Sequence, residues 1–179
     1  MKKLIVFSTL LLAVLLQWPC ILSAETSSVS SSYIEATSQI KTPKDLSKFM
    51  KKKFDFVLDE DQFGTADYWQ SPEEFWQNKK GDCEDYAVFS KTVLENLGFE
   101  ATIISLYGPD GYAHTVTIFK DENGYSVMNE DRLYRYGTAT LEEAVSRIFP
   151  DWTWAGIARL QGTRGWLIRE LHNPTSFTA

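Results

Sequence analysis

A chain of 179 residues, 44% hydrophobic and 14% aromatic, can fill one sizeable core, which argues against a disordered chain. Its formal charge of −6, with no basic run longer than Lys51-Lys52-Lys53, argues against a nucleic-acid binder. Two cysteines and two histidines are too few for a disulfide-rich scaffold or an obvious zinc finger.

The chain begins like a leader. Met1-Lys2-Lys3 is basic, and Leu4 to Leu16 is an uncharged run of 13 residues. That run is short for a bilayer span, which needs about 20 residues, and suits a signal peptide. Leu22-Ser23-Ala24 offers a small-residue cleavage site, so residues 1–24 read as a signal peptide and Glu25 as the mature start. The expectation is an exported protein, periplasmic or extracellular, with no stable membrane insertion after cleavage. A lipid anchor on Cys20 is the minor alternative, because Gln17-Trp18-Pro19 is bulky for a lipid-attachment site. Cleavage leaves Cys83 as the one cysteine of the mature chain.

Residues 25–40 are rich in Ser and Thr and read as a solvated linker before a domain over 41–179. Pro43 suits a helix's first turn, with Leu46, Phe49, Met50 and Phe54 at helical spacing. Ser71-Pro72-Glu73-Glu74 is a second helix start. Gly81-Asp82-Cys83-Glu84-Asp85 opens a third, with Asp82 as cap and Asp85 at capping-box spacing; Gly98 closes it. Its stripe of Cys83, Ala87, Ser90, Val93, Leu94 and Leu97 turns Cys83 toward the core. Strands are predicted from Ala101 to Tyr107, His114 to Phe119 and Tyr125 to Asn129, separated by Gly108-Pro109-Asp110-Gly111 and Asp121-Glu122-Asn123-Gly124. Thr140 starts a short helix that stops at Pro150. Trp152 to Leu160 and Gly165 to Leu171 read either as a hairpin or as a strand and a tail.

A cysteine at a helix N-terminus is well placed for chemistry. The helix dipole and unpaired N–H groups favour a thiolate and can hold an oxyanion beside it. A leaving amine needs a proton donor, and His114 opens a strand 31 residues after Cys83. His172, near the C-terminus, reads as a surface residue. Asn129 and Asp131 are the candidates to hold the imidazole. If Lys120 pairs with Tyr125, His114 faces Asp131 directly and Asn129 diagonally, all on one sheet face.

The sequence Gly81-Asp82-Cys83-Glu84-Asp85-Tyr86-Ala87, then His114-Thr115-Val116, then Val127-Met128-Asn129, resembles the transglutaminase-like cysteine protease superfamily. It is most similar to the exported bacterial transglutaminase-like cysteine proteases, with Trp69-Gln70-Ser71-Pro72-Glu73-Glu74 also in keeping. The likeness covers roughly residues 60 to 135. It implies an α+β, papain-like core with the cysteine helix packed on an antiparallel sheet. It implies a thiol acyl-transfer enzyme, foremost a protease or amidase acting on polypeptide, with Cys83 as nucleophile, His114 as base and Asn129 where the family usually has Asp. A cross-linking transglutaminase and a non-catalytic peptide-binding module are the alternatives.

Two further roles stay open on the residues alone. Asp82, Glu84 and Asp85 offer three hard oxygen donors beside the nucleophile, a set that calcium prefers; helix capping by Asp82 and Asp85, with Glu84 solvated, is the first reading, since three neighbouring residues rarely complete a site of six or more ligands, and the chemistry itself requires no cofactor. Trp69 either walls the cleft, donates its N–H to an oxyanion, or packs in the core.

Overall fold

The computed structural model describes residues 22–171 and Asn173. The basic start, the apolar run, Cys20 and His172 lie outside the described residues. Helices α1 (Leu22–Ser38), α2 (Pro43–Lys53), α3 (Asp59–Phe63), α4 (Pro72–Asn78) and α5 (Cys83–Asn96) make up the first half, with a two-stranded parallel pair of β1 (Asp55–Phe56) and β2 (Lys80–Gly81) between them. The second half is β3 (Glu100–Tyr107), β4 (Ala113–Asp121), β5 (Gly124–Asn129), β6 (Arg132–Thr138), α6 (Leu141–Ile148), β7 (Trp154–Gln161) and β8 (Arg164–Leu171).

The helix starts follow from local chemistry. Thr42 caps α2 through Asp45 N–H, Ser71 caps α4 through Glu74 N–H, and Thr140 caps α6 through Glu143 N–H. Pro43 and Pro72 occupy first-turn positions where a missing N–H costs nothing.

The expected solvated linker over 25–40 is instead largely the helix α1. Tyr33 and Ile40 are buried, Tyr33 sits edge-on to Phe89, and Trp76 donates its indole N–H to Ser32. The Ser/Thr-rich composition favours solvation locally, and burial of these two side chains in the core overrides it.

All pairings of the large sheet are antiparallel, in the order β6-β5-β4-β3-β7-β8. β4 is therefore central and covered on both faces, which is why Thr115 and Thr117 are buried along with Val116, Ile118 and Phe119. One face carries α5. There Phe54, Phe75, Tyr86 and Phe89 stack and cross one another above Phe119 and Met128, with the Phe54 and Phe75 ring centroids 4.1 Å apart. The other face packs Ile104, Val116, Ile118 and Val127 against Ala144 and Val145 of α6 and against Trp152. The buried Thr117 hydroxyl donates to the Ala87 carbonyl at 2.6 Å and so pins α5 to β4. The α+β arrangement, a cysteine-bearing helix on an antiparallel sheet, is the fold the sequence implied. β7 and β8 form a hairpin, which resolves the open question over residues 152–171. β6 is a strand that the sequence reading did not single out.

Candidate active site

Cys83 is the first residue of α5 and is half-buried. The turn before it is held by a buried clamp. The Asp85 carboxylate accepts the backbone N–H of Asp82, the backbone N–H of Gln70 at 2.8 Å and the Gln70 side-chain amide at 2.6 Å. Gln70 also donates to the Lys80 carbonyl and accepts from Asn78. Gln70 and Asp85 are both 0% exposed, so the segment before α4 is locked to the start of α5 by charge-assisted bonds inside the core. Gly81 passes beside this carboxylate with no room for a side chain.

The Cys83 sulfur lies against β4. The Cys83 thiol donates to Glu84 Oε2 at 3.2 Å, and Thr115, the residue after His114, lines the same cleft. His114 is buried at the start of β4, between Phe149 and Tyr112, with ring centroids 5.2 and 5.9 Å away. His114 Nε2 lies 2.7 Å from Asn129 Oδ1. An amide oxygen only accepts, so Nε2 carries the hydrogen and Nδ1 keeps the free lone pair.

The register that brings this about is the Lys120–Tyr125 pairing, continued to Thr117–Met128. Asn129 then ends β5, and a two-residue turn, Glu130-Asp131, leads to Arg132 opposite it. Asp131 therefore sits in the turn and does not face His114 directly, contrary to the expectation from the Lys120–Tyr125 pairing, because β5 ends at Asn129 and the chain turns there. Its carbonyl accepts from Ser47, and its carboxylate is 4.0 Å from Arg132.

Cys83 and His114 line one cleft of about 750 Å³. Trp69 forms part of its wall. The Trp69 indole N–H is donated to Asp67 at 3.0 Å, its ring lies on Gly165, and it is 5% exposed. It is thus a packed wall, with its N–H engaged by a carboxylate and not free for an oxyanion. Ser105, Thr115 and Tyr112 also line the cleft, and the β7–β8 hairpin contributes Trp154, Ala158, Gly165 and Leu167. Sequence reading marked Thr115 only as part of the His114 motif and did not mark the others, because nothing in their local pattern says which strand ends meet α5.

The acids beside the nucleophile form a buried cluster. Ligand oxygens of Asp59, Asp82 and Asp85, and of Asp59, Asp67 and Glu84, come within 4.8 Å of one another. Asp85 spends both oxygens on the clamp, so the acids with capacity to spare are Asp82 and Glu84, joined by Asp59 from α3, which the sequence did not single out. Asp59 Oδ1 and Asp82 Oδ1 are buried without a hydrogen-bond partner. Burial, then Asp82, pushes the Glu84 carboxyl up to about 9, and burial pushes Asp85 up to about 7. Burial, followed by the charges of Glu84 and Asp82, also raises the Cys83 thiol well above its ordinary range. Orphaned, mutually repelling carboxylate oxygens of this kind suit a hard divalent cation.

Residues 20–135 match the family described as the bacterial transglutaminase-like cysteine proteinases (BTLCP). Among solved structures, Legionella pneumophila LapG is similar at 19% identity and a TM-score of 0.50, over 80% of each chain. Calcium-bound LapG of the same organism is similar at 18% identity and a TM-score of 0.50, over 86% of each chain. At such identity the likeness is one of fold. No curated protein sequence matches the chain.

Proposed function

The chain belongs to the bacterial transglutaminase-like cysteine proteinases, and from that premise we propose that it is an exported cysteine peptidase that cuts polypeptide through a Cys83–His114–Asn129 triad. The observation that carries the triad is the 2.7 Å contact of His114 Nε2 with Asn129 Oδ1, at the edge of the cleft that Cys83 lines. In this mechanism the Cys83 sulfur attacks the scissile carbonyl and its proton passes to His114 Nδ1. The backbone N–H groups at the start of α5 face the developing oxyanion. His114 then gives the proton to the departing amine, leaving an acyl thioester on Cys83. Water activated by His114 hydrolyses the thioester and restores the thiol. Cleavage of peptides by the wild-type protein, absent in a Cys83→Ala control, tests the reading.

Asn129 orients the ring without adding charge. Asn129→Ala should lower kcat by roughly 10²-fold with little change in KM, since proton transfer and not substrate binding is disturbed. Asn129→Asp should hold or raise kcat, because a carboxylate also stabilises the imidazolium. Asp131→Ala should be nearly silent, because its carboxylate meets only the exposed Arg132. Steady-state kinetics on the three variants decide the matter, and loss of turnover in Asp131→Ala alone would reassign the orienting residue.

We further propose that the protein binds calcium through Asp59, Asp82 and Glu84, with Asp67 at the rim. Bound there, the cation would offset the carboxylate charges that add to burial in raising the Cys83 thiol. The orphaned oxygens of Asp59 and Asp82 support this, as does the existence of a calcium-bound LapG structure. At a calcium concentration about 100-fold above Kd, binding contributes about 2.7 kcal/mol. For a domain of this size that is a rise in Tm of about 5–10 °C. EGTA should reverse the rise, and Asp82→Asn or Glu84→Gln should remove it. A melting curve indifferent to millimolar calcium would sink the assignment.

Export rests on the leader-like start of the sequence. Among the described residues, no helix is long and apolar enough to cross a membrane. N-terminal sequencing of the cell-processed protein should begin near Glu25; retention of Met1 would count against it.

A further inference from the structure

The lining of the cleft is one-sided in charge. Its acids are Asp67, Asp82, Glu84 and Glu130, and no Lys or Arg is among its described residues. The first three belong to the cluster assigned to the cation. Glu130 stands apart from them, in the turn that follows Asn129.

Its position is unusual. Glu130 has φ 49°, in the left-handed region that Gly and Asn adopt more readily, at a cost of about 1 kcal/mol. The preceding residue is tied to His114 and the following one to Ser47, so the turn is fixed relative to the histidine. The Glu130 carboxylate has no hydrogen bond or salt bridge among the described residues; the exposed Arg132, two positions on, lies 4.0 Å from the Asp131 carboxylate and feels the Glu130 charge only at longer range. Tyr112 lines the same cleft, 52% exposed, with its ring against His114. Tyr112, Cys83 and Glu130 all line this one cleft, and burial, then the charges of Cys83 and Glu130, holds the Tyr112 hydroxyl above its ordinary range.

We propose that Tyr112 and Glu130 form a subsite for a long cationic side chain, Lys or Arg, in the polypeptide being cut. The aliphatic stem of such a side chain lies along an exposed aromatic face, and its charged end meets an unpaired carboxylate. A long acidic side chain there meets like charge and no donor. The proposal rests on the peptidase reading and adds to it the substrate class that the His114 side of the cleft selects. It makes Glu130 a specificity residue that leaves the reacting atoms untouched.

The test is a digest of a proteome-derived peptide library by the full mature chain in calcium, with the sequences on both sides of each cut read by mass spectrometry. Wild-type cuts should be enriched in Lys or Arg at one fixed position. Glu130→Gln should reduce that preference about tenfold, as expected for loss of a charge-assisted contact. Glu130→Lys should turn it toward Glu or Asp. Glu130→Gly suits the left-handed backbone and should lose the preference as fully as Glu130→Gln; a merely structural role would predict that it is neutral. Cuts without a basic position, or with one that survives Glu130→Gln, would overturn the subsite and leave the peptidase standing. Absence of any Cys83-dependent cut would remove the peptidase reading and the subsite with it.

Discussion

Cys83→Ala should reduce peptide hydrolysis by about 10⁴-fold or more. In the proposed mechanism the Cys83 sulfur forms the covalent intermediate, and neither His114 nor the backbone N–H groups at the α5 start can replace it. Cys83→Ser should be almost as inactive, because a serine hydroxyl has a far higher pKa than a thiol and is much harder for His114 to deprotonate. The fold should survive. Cys83 is half-buried, and its removal costs one thiol contact to Glu84 and little packing, so Tm should move by no more than about 4 °C. Activity and melting measured on one preparation separate loss of chemistry from loss of structure. A Cys83→Ala protein that still cleaves peptides would mean that the nucleophile is elsewhere.

The second large effect is structural and lies two residues upstream. A Cβ at Gly81 would clash with Asp85 Oδ2 and fall 2.8 Å from Asp85 Cβ. The carboxylate cannot swing aside cheaply, because Gln70 and the Asp82 N–H hold it through three hydrogen bonds. Gly81→Ala must break some of these or push the start of α5 outward. We expect a loss of about 3 kcal/mol, from overpacking and unmade buried bonds together. That corresponds to a fall in Tm of about 6–12 °C. Because Cys83 rides on the displaced turn, kcat should also fall at temperatures where the variant is still folded. Unchanged melting would show that the clamp is softer than its geometry implies.

How much of this could be read from the residues alone depends on the range of the interactions involved. The α5 start was legible because capping is local: Asp82, Asp85 and Gly98 act within one helix. The β4–β5 register was legible because a short turn fixes it, and the diagonal between His114 and Asn129 follows from that register. Helix α1 was not legible, because Ser27 to Ser32 favours solvation, while the side chains that hold the helix, Tyr33 and its partner Phe89, are 56 residues apart. Gln70 was read as part of a motif and not as a clamp, since its partner Asp85 is reached only after α4 has turned the chain back. Asp59 joins the acidic cluster for the same reason. Its neighbours in sequence, Glu60 and Asp61, look identical, and only the tertiary fold buries one of the three.

The β7–β8 hairpin lies beyond residue 135, where the family match ends, yet it closes the cleft. Thr163 accepts the Trp69 backbone N–H, and Gly165 receives the Trp69 ring. The groups of the proposed triad come from α5, β4 and β5, while much of the opposite wall comes from this separate hairpin. On that reading labour is divided: one part of the chain carries the reacting groups and another shapes what may approach them. Changes at Leu167 or Trp154 can therefore retune selectivity while the reacting geometry stays intact, which makes the hairpin the natural place to diversify the enzyme, by mutation in the laboratory or by drift in a lineage.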